Sequence, residues 1–360
     1  MYMEKSKQSV GNIAILALLF TGVLYLFIWS ASLGSNPLLW EYRKRWSQDR
    51  CSNAQFRTIK FPIDELELAL EKASMPNKTV IIAVVNKAYV DQTVESETTM
   101  LDLFLESFWL GENTRPLLDH LLLVAVDQTA YDRCMFKRLH CYKLETDGVE
   151  FAGEKLYMSK DFVKMMWRRT LLLIDVLKRG YSFVFTDTDV MWLRNPFSRL
   201  NKNESIDLQF STDWFNGNPN SEKNSINTGF YHVRSNNRTI SLFNAWYAEK
   251  DNSTGLKEQD VLLNLIRGGI IQRLGIHARF LDTLYFSGFC ADSNDIRAVT
   301  TVHSNCCRSI SAKITDLKAV LRDWKKFKAS ITNKNGVASN GTAPFSWTGH
   351  FGCWNSWNKT

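Results

Sequence analysis

The hydrophobic pattern divides the chain into a long uncharged run, a polar interval, and a regular succession of short apolar runs and amphipathic segments. Residues 10–33, VGNIAILALLFTGVLYLFIWSASL, hold no charged side chain. About 20 apolar residues are enough to cross a bilayer as a helix. Trp29 lies near one end of the run, where an indole favours the interface. The pattern predicts a transmembrane anchor at 10–33 behind a cytoplasmic tail at 1–9. A cleaved signal peptide is the rival reading, weakened by the length of the run and by the poor cleavage pattern of SASLG. Residues 34–60 are polar and aperiodic and read as a stem.

Beyond the stem the period changes. PIDELELALEKAS (62–74) predicts a short amphipathic helix with Asp64 near its start, and TVIIAVV predicts a buried strand ending in Asn86 and Lys87. TTMLDLFLESFWLGEN (98–113) is helical with a stop at Gly111. LLLVAVDQTAYDRC (121–134) holds a second buried strand, ending in Asp127. SKDFVKMMWRRTLLLIDVLKRG (159–180) is a helix stopped by Gly180, and YSFVFTDTD is a third buried strand, ending in Asp187 and Asp189. This alternation predicts an α/β domain over 61–330: a single mixed, mostly parallel sheet with helices on both faces. Residues 331–360 lose periodicity and read as a loosely ordered tail with aromatic anchors. Ligands of open α/β sheets sit beyond the carboxyl ends of the strands, which gathers Asn86, Asp127 and the Asp187/Asp189 pair along one edge.

Composition and charge narrow the classes. Hydrophobic residues make up 45% of the 360, ample for a large core. The net charge of +7 is spread without a long basic block; Arg43, Lys44 and Arg45 are the densest cluster. A nucleic-acid partner calls for a basic stripe, so that class is set aside. All seven cysteines lie beyond the apolar run, and Asn-x-Ser/Thr sequons occur at Asn77, Asn203, Asn237, Asn252, Asn340 and Asn358. Both features belong to an oxidising lumen. The positive charges point the other way, Lys5 and Lys7 before the run against Arg43, Lys44, Arg45 and Arg50 after it. Long domains translocate regardless of flanking charge, so the bulk of the chain is expected in the lumen. The odd cysteine count leaves one thiol unpaired or joined between chains, with Cys51 in the stem the candidate.

Asp187 and Asp189 are poor strand and poor core residues. Crowded carboxylates repel, and their arrangement becomes favourable when a divalent cation lies between them. Hard oxygen ligands suit Mg²⁺ or Mn²⁺, which keep positions for substrate phosphates. An acidic turn is the ordinary alternative. Haloacid-dehalogenase-type phosphatases also carry Asp-x-Asp after a buried strand, but Met191 stands where that motif has Thr or Val, and the pair lies mid-chain.

MMWRRTLLLIDVLKRGYSFVFTDTDVMWLRNPF, NTGFYHVRSNNRTI, EQDVLLNLI, YFSGFC and VHSNCC follow one another as in the plant nucleotide-diphospho-sugar transferase family, which residues 55–330 resemble. Relatives in that family include xylosyltransferases of pectin and arabinosyltransferases of extensin-type glycoproteins. The resemblance implies a GT-A fold, a single-pass type II Golgi membrane protein, and a UDP-linked sugar donor. It also implies a cell-wall glycan or glycoprotein acceptor, retention of anomeric configuration, and a pentose as the expected sugar. UDP-xylose, UDP-arabinofuranose and UDP-galactose all suit such a site, and homo- or hetero-oligomers are compatible with it.

By motif, Asp187 and Asp189 match the family's metal-binding pair and are expected to hold Mn²⁺ (or Mg²⁺) against the donor diphosphate. His303 in VHSNCC resembles a third metal ligand. Asn227, Thr228 and Gly229 fall where donor sugar is contacted, and glycine admits close backbone approach. Gln259 and Asp260 match a pair near the reacting carbon, expected to stabilise positive charge on the sugar; a favourable helix-dipole position is the plainer role for Asp260. Asn86 and Lys87 are expected at the nucleotide and Asp127 at its base or ribose. Arg168, with Arg169 beside it, is expected at the diphosphate, although both sit mid-helix and one must face elsewhere. Asp213 and Trp214 are expected to line the acceptor side, where TDW departs from the family's CDH. Thr188 replaces the family's Ala, and strand alternation would turn it from the aspartates' face. A non-catalytic lumenal sugar-binding or complex-partner protein on the same fold is the alternative in a different class; the full set of acidic motifs favours the enzyme.

Overall fold

The computed structural model describes residues 63–92, 97–146, 151–155, 158–332 and 346–358. The expected tail, anchor and stem at 1–60, with Cys51, lie outside the described residues. Among those described, no helix is long and apolar enough to cross a membrane.

β1 (Thr79–Val85) and β2 (Leu121–Ala125) are apolar on both faces because the sheet they belong to is covered on both sides. With β3 (His140–Lys143), β4 (Ser182–Thr186), β6 (Leu208–Trp214), β7 (Ser225–Val233) and β8 (Ala278–Phe280) they form a seven-stranded sheet, ordered β3-β2-β1-β4-β7-β6-β8. Neighbours run parallel except at β7, which is antiparallel to both β4 and β6. The two-residue alternation of strands sends Val80, Ile82, Phe183, Phe185 and Tyr231 into one core and Ile81, Ala83, Val184 and Phe230 into the other. The first core is closed by α1 (Glu65–Ala73), α5 (Lys160–Lys178), α6 (Asn237–Ala248), α7 (Glu258–Arg267) and the short α8 (Ile270–Arg273). The second is closed by α2 (Lys87–Val90), α3 (Met100–Leu110), α4 (Gln128–Phe136) and α9 (Ile310–Thr332).

Helix starts follow the local chemistry. The Asp64 carboxylate accepts from Glu67 N, Thr99 and Asp102 form a reciprocal capping box, and Ser159 caps α5. Gly180 follows the C-terminal cap of α5 with φ +82°, a conformation glycine adopts without strain.

Three features differ from the sequence-based expectation. The sheet is not single: β5 (Val190–Trp192), β9 (Phe286–Gly288) and β10 (Thr301–His303) form a second, three-stranded sheet ordered β5-β10-β9. Strands this short carry no legible period. Asp127 does not merely end a strand but starts α4 directly. The last described stretch is docked rather than loose: Cys353, in α10 (Phe351–Asn355), is disulfide-bonded to Cys307, and its backbone N–H donates to Asp316 Oδ2 on α9 at 2.7 Å. His350 stacks on Phe289 with ring centroids 3.6 Å apart. The six described cysteines all pair, as Cys134–Cys141, Cys290–Cys306 and Cys307–Cys353.

Candidate active site

β4 ends at Thr186 and β5 begins at Val190, so Asp187 and Asp189 occupy the turn that joins the two sheets. Asp187 N donates to Gly229 O at 2.7 Å, which fastens this turn to β7. The antiparallel pairing of β10 with β5 sets His303 opposite Val190, beside Asp189. One ligand atom from each of Asp187, Asp189 and His303 lies within 4.8 Å of the others. His303 Nε2 is 3.3 Å from Asp189 Oδ1 and 4.0 Å from Asp187 Oδ2. Gly229 makes this convergence possible. A Cβ there would run into the His303 ring and come within 2.9 Å of both Asp187 Oδ2 and Asn227 Oδ1.

Two cations neutralise the cluster from behind. Lys313 Nζ, on α9, is 2.6 Å from Asp189 Oδ2, and the Ser304 hydroxyl donates to the same oxygen at 3.1 Å. Arg169 Nη1, on α5, is 3.1 Å from Asp187 Oδ1, while its Nη2 is 2.7 Å from Glu258 Oε1. Burial opposes charge on Asp189, yet the Lys313 ammonium and His303 hold its carboxyl far below the usual carboxylate range. Asp187 moves the other way: burial pushes its carboxyl up against the pull of Arg169, with the charge of Asp189 adding to the rise. Burial disfavours the cations of His303 and Lys313, but in each the charge of Asp189 prevails and raises the proton affinity.

The cluster opens into a cleft of about 300 Å³, lined also by Asn86, Asn227, Gly229 and Gln259. Gln259 is oriented by Thr228, whose N–H and hydroxyl donate to Gln259 Oε1 at 3.0 and 3.2 Å. Asn227 Nδ2 donates to Asp213 Oδ1 at 2.8 Å, and its own Oδ1 accepts from Gly229 N at 2.7 Å. Asn86, buried, donates to Phe151 O and Gly153 O at 2.7 and 3.1 Å, tying the 151–155 segment to the end of β1.

Other expected site residues are placed differently. Arg168 turns out of the cleft, and its guanidinium donates to Glu145 O. Its neighbour Arg169 takes the inward position, since successive helical residues point about 100° apart. The same geometry puts Gln259 on the cleft wall and leaves Asp260 off it. Lys87 Nζ pairs with Asp91 at 3.6 Å. Asp127 is an N-cap, accepting from Ala130 N at 2.8 Å and from Lys87 N at 2.6 Å, so it joins α2 to α4 rather than lining the cleft. Trp214 is 64% exposed and also lies off the lining, whereas Asp213 is on it. Thr188 is buried and lines the cleft, because the chain turns there and strand alternation lapses. Lys313, Glu258 and Asn305 are cleft residues for which sequence reasoning found no role. Glu258 was adjacent to the Gln259 motif; Lys313 is one lysine among several on α9 and carries no local mark.

A cleft at the carboxyl end of a mostly parallel sheet, lined by an acidic pair, fixed amides and apolar side chains, defines a ligand-binding α/β enzyme site. A nucleotide-diphospho-sugar transferase family model matches residues 116–317, and the chain belongs to that family. It is a glycosyltransferase-class enzyme. An uncharacterized Arabidopsis thaliana protein is 54% identical over 353 residues, covering 97% of this chain and 96% of that protein. Arabidopsis beta-arabinofuranosyltransferase RAY1 is 26% identical over 221 residues, covering 60% of this chain and 38% of RAY1. Among solved structures, mouse xyloside xylosyltransferase 1 aligns with a TM-score of 0.39 at 12% identity, covering 63% of this chain and 98% of that one.

Proposed function

We propose that this protein is a Golgi-anchored, divalent-metal-dependent glycosyltransferase that moves a pentose from a UDP-sugar to a cell-wall glycan or glycoprotein, with retention. The observation that carries the reading is the convergence of Asp187, Asp189 and His303 from two sheets on one point of the cleft. Two carboxylates and an imidazole form a donor set that Mn²⁺ accepts, with Mg²⁺ less suited to the nitrogen. When bound there, the metal supplies positive charge against the nucleoside diphosphate as the sugar–phosphate bond breaks.

The chain's own groups account for the rest. Lys313 and Arg169 keep the two carboxylates fixed and partly neutralised, so the site is preorganised. Gln259 lines the cleft with its amide oxygen engaged by the Thr228 N–H, which leaves its amide N–H groups to donate to oxygens of a bound donor rather than to face positive charge on the sugar. Glu258, the carboxylate beside it, is already paired with Arg169, and Asp260 is off the lining. That arrangement favours reaction on one face of the sugar, with the leaving phosphate accepting the acceptor's proton. A lumenal address is supported by the disulfide pairing of all six described cysteines. The described sequon residues Asn77, Asn203, Asn237, Asn252 and Asn358 are also exposed. The test is a donor-hydrolysis screen over UDP-xylose, UDP-arabinofuranose and UDP-galactose with Mn²⁺. Turnover of one pentose donor is expected; binding of UDP without turnover of any donor would favour a sugar-binding role instead.

A further inference from the structure

The wall of the cleft formed by residues 303–308 is completed by a tryptophan from the far end of the chain. Trp357 lines the cleft together with Cys306, Cys307 and Arg308. Its placement is fixed by several independent contacts. The Cys307–Cys353 disulfide fastens α10 to this wall, and Arg308 N donates to Ser356 Oγ at 3.0 Å. Trp357 Nε1 donates to Cys306 O at 2.8 Å, and the Arg308 guanidinium lies over the indole, 4.1 Å from its centre. Cys306 has a φ of 53°, a left-handed conformation uncommon outside glycine, and is retained in it by its disulfide to Cys290 and by the indole hydrogen bond.

Arg308 covers one side of the indole, yet 42% of Trp357 remains exposed. On the same wall Asn305 Nδ2 donates to Asp213 Oδ1 at 2.6 Å, the oxygen that also receives Asn227. An open aromatic face beside fixed amides and a carboxylate is the chemistry that receives a sugar ring, its C–H face on the indole and its hydroxyls on the polar groups. Asn86 and Tyr89, at the end of β1, line the same cleft. We propose that Trp357 is the stacking platform of the acceptor-glycan subsite, kept in place by the Cys307–Cys353 disulfide. The proposal rests on the glycosyltransferase reading above and names where its acceptor binds.

The test is calorimetric titration of the full-length chain with Mn²⁺ present, using UDP and, separately, short arabino- and xylo-oligosaccharides. Trp357→Ala is expected to weaken oligosaccharide binding about tenfold, equivalent to roughly 1.4 kcal/mol, with UDP affinity unchanged. Trp357→Phe, which keeps a ring face, is expected to retain most of it, and UDP binding by each variant reports that it folds. Unchanged oligosaccharide affinity in Trp357→Ala would overturn the proposal. So would an equal loss for UDP, which would make the indole a nucleotide contact. A wild type that binds UDP but neither oligosaccharide overturns it too. Failure of the glycosyltransferase reading looks different: a wild type that takes up no UDP.

Discussion

Gly229 decides how closely β7 passes the acidic pair and His303. Adding one methyl there forces the His303 ring, Asp187 or β7 itself to move, because the space is already filled by all three. Gly229→Ala is therefore expected to lower metal-dependent donor turnover by about a hundredfold, the scale of loss that an ångström of misplacement brings. Circular dichroism should remain that of the wild type, since the change lies at the cleft and not in either core. Asp187, Asp189 and His303 were legible in the sequence because carboxylates ending an apolar strand, and a histidine in an ordered motif, are conspicuous. Arg168 and Arg169 show where such legibility stops. Two adjacent arginines differ only in helical phase, and the choice between them is made by the packing of α5 against Phe185 and Glu258. Lys313 was illegible for a related reason: its role comes from α9 crossing behind Asp189, a tertiary contact 124 residues away in sequence.

β7 carries a second testable consequence of its central place. His232 is buried enough that its imidazole is pushed down from 6.5 to about 4, with Arg234 adding to the effect. The folded state therefore binds this proton more weakly than the unfolded chain does. The contribution to stability is complete above about pH 6.5 and declines as pH falls towards about 4. Thermal unfolding of wild type and His232→Gln across that window is expected to show the wild type losing more stability on acidification. Parallel curves for the two would refute the assignment. The long strands and helices could be read from period and terminal signals, as Asp64 at the start of α1 and Gly180 after α5 show. The three-residue strands of the small sheet could not, and neither could the docking of α10, which depends on a disulfide whose partner choice no spacing dictates.

Among the described residues, the carboxyl ends of the central strands β1 and β4 lie towards the small sheet, which β4 runs into through the Asp187–Asp189 turn, and the chemistry sits there. Strands β1, β4 and β7 deliver Asn86, the acidic pair and Gly229, and β10 delivers His303. The sequon asparagines Asn77, Asn203, Asn237, Asn252 and Asn358 are exposed. If the domain is lumenal, protein expressed in plant cells will shift in mobility on endoglycosidase treatment; an unshifted band would place it on the cytoplasmic side. The most direct measurement is turnover of UDP-pentose donors, with and without Mn²⁺, by wild type and by the Asp187→Asn, Asp189→Asn double variant. Metal-dependent turnover by the wild type is expected, with a loss of at least about a hundredfold in the variant. Equal turnover by the two proteins would contradict the metal-dependent reading.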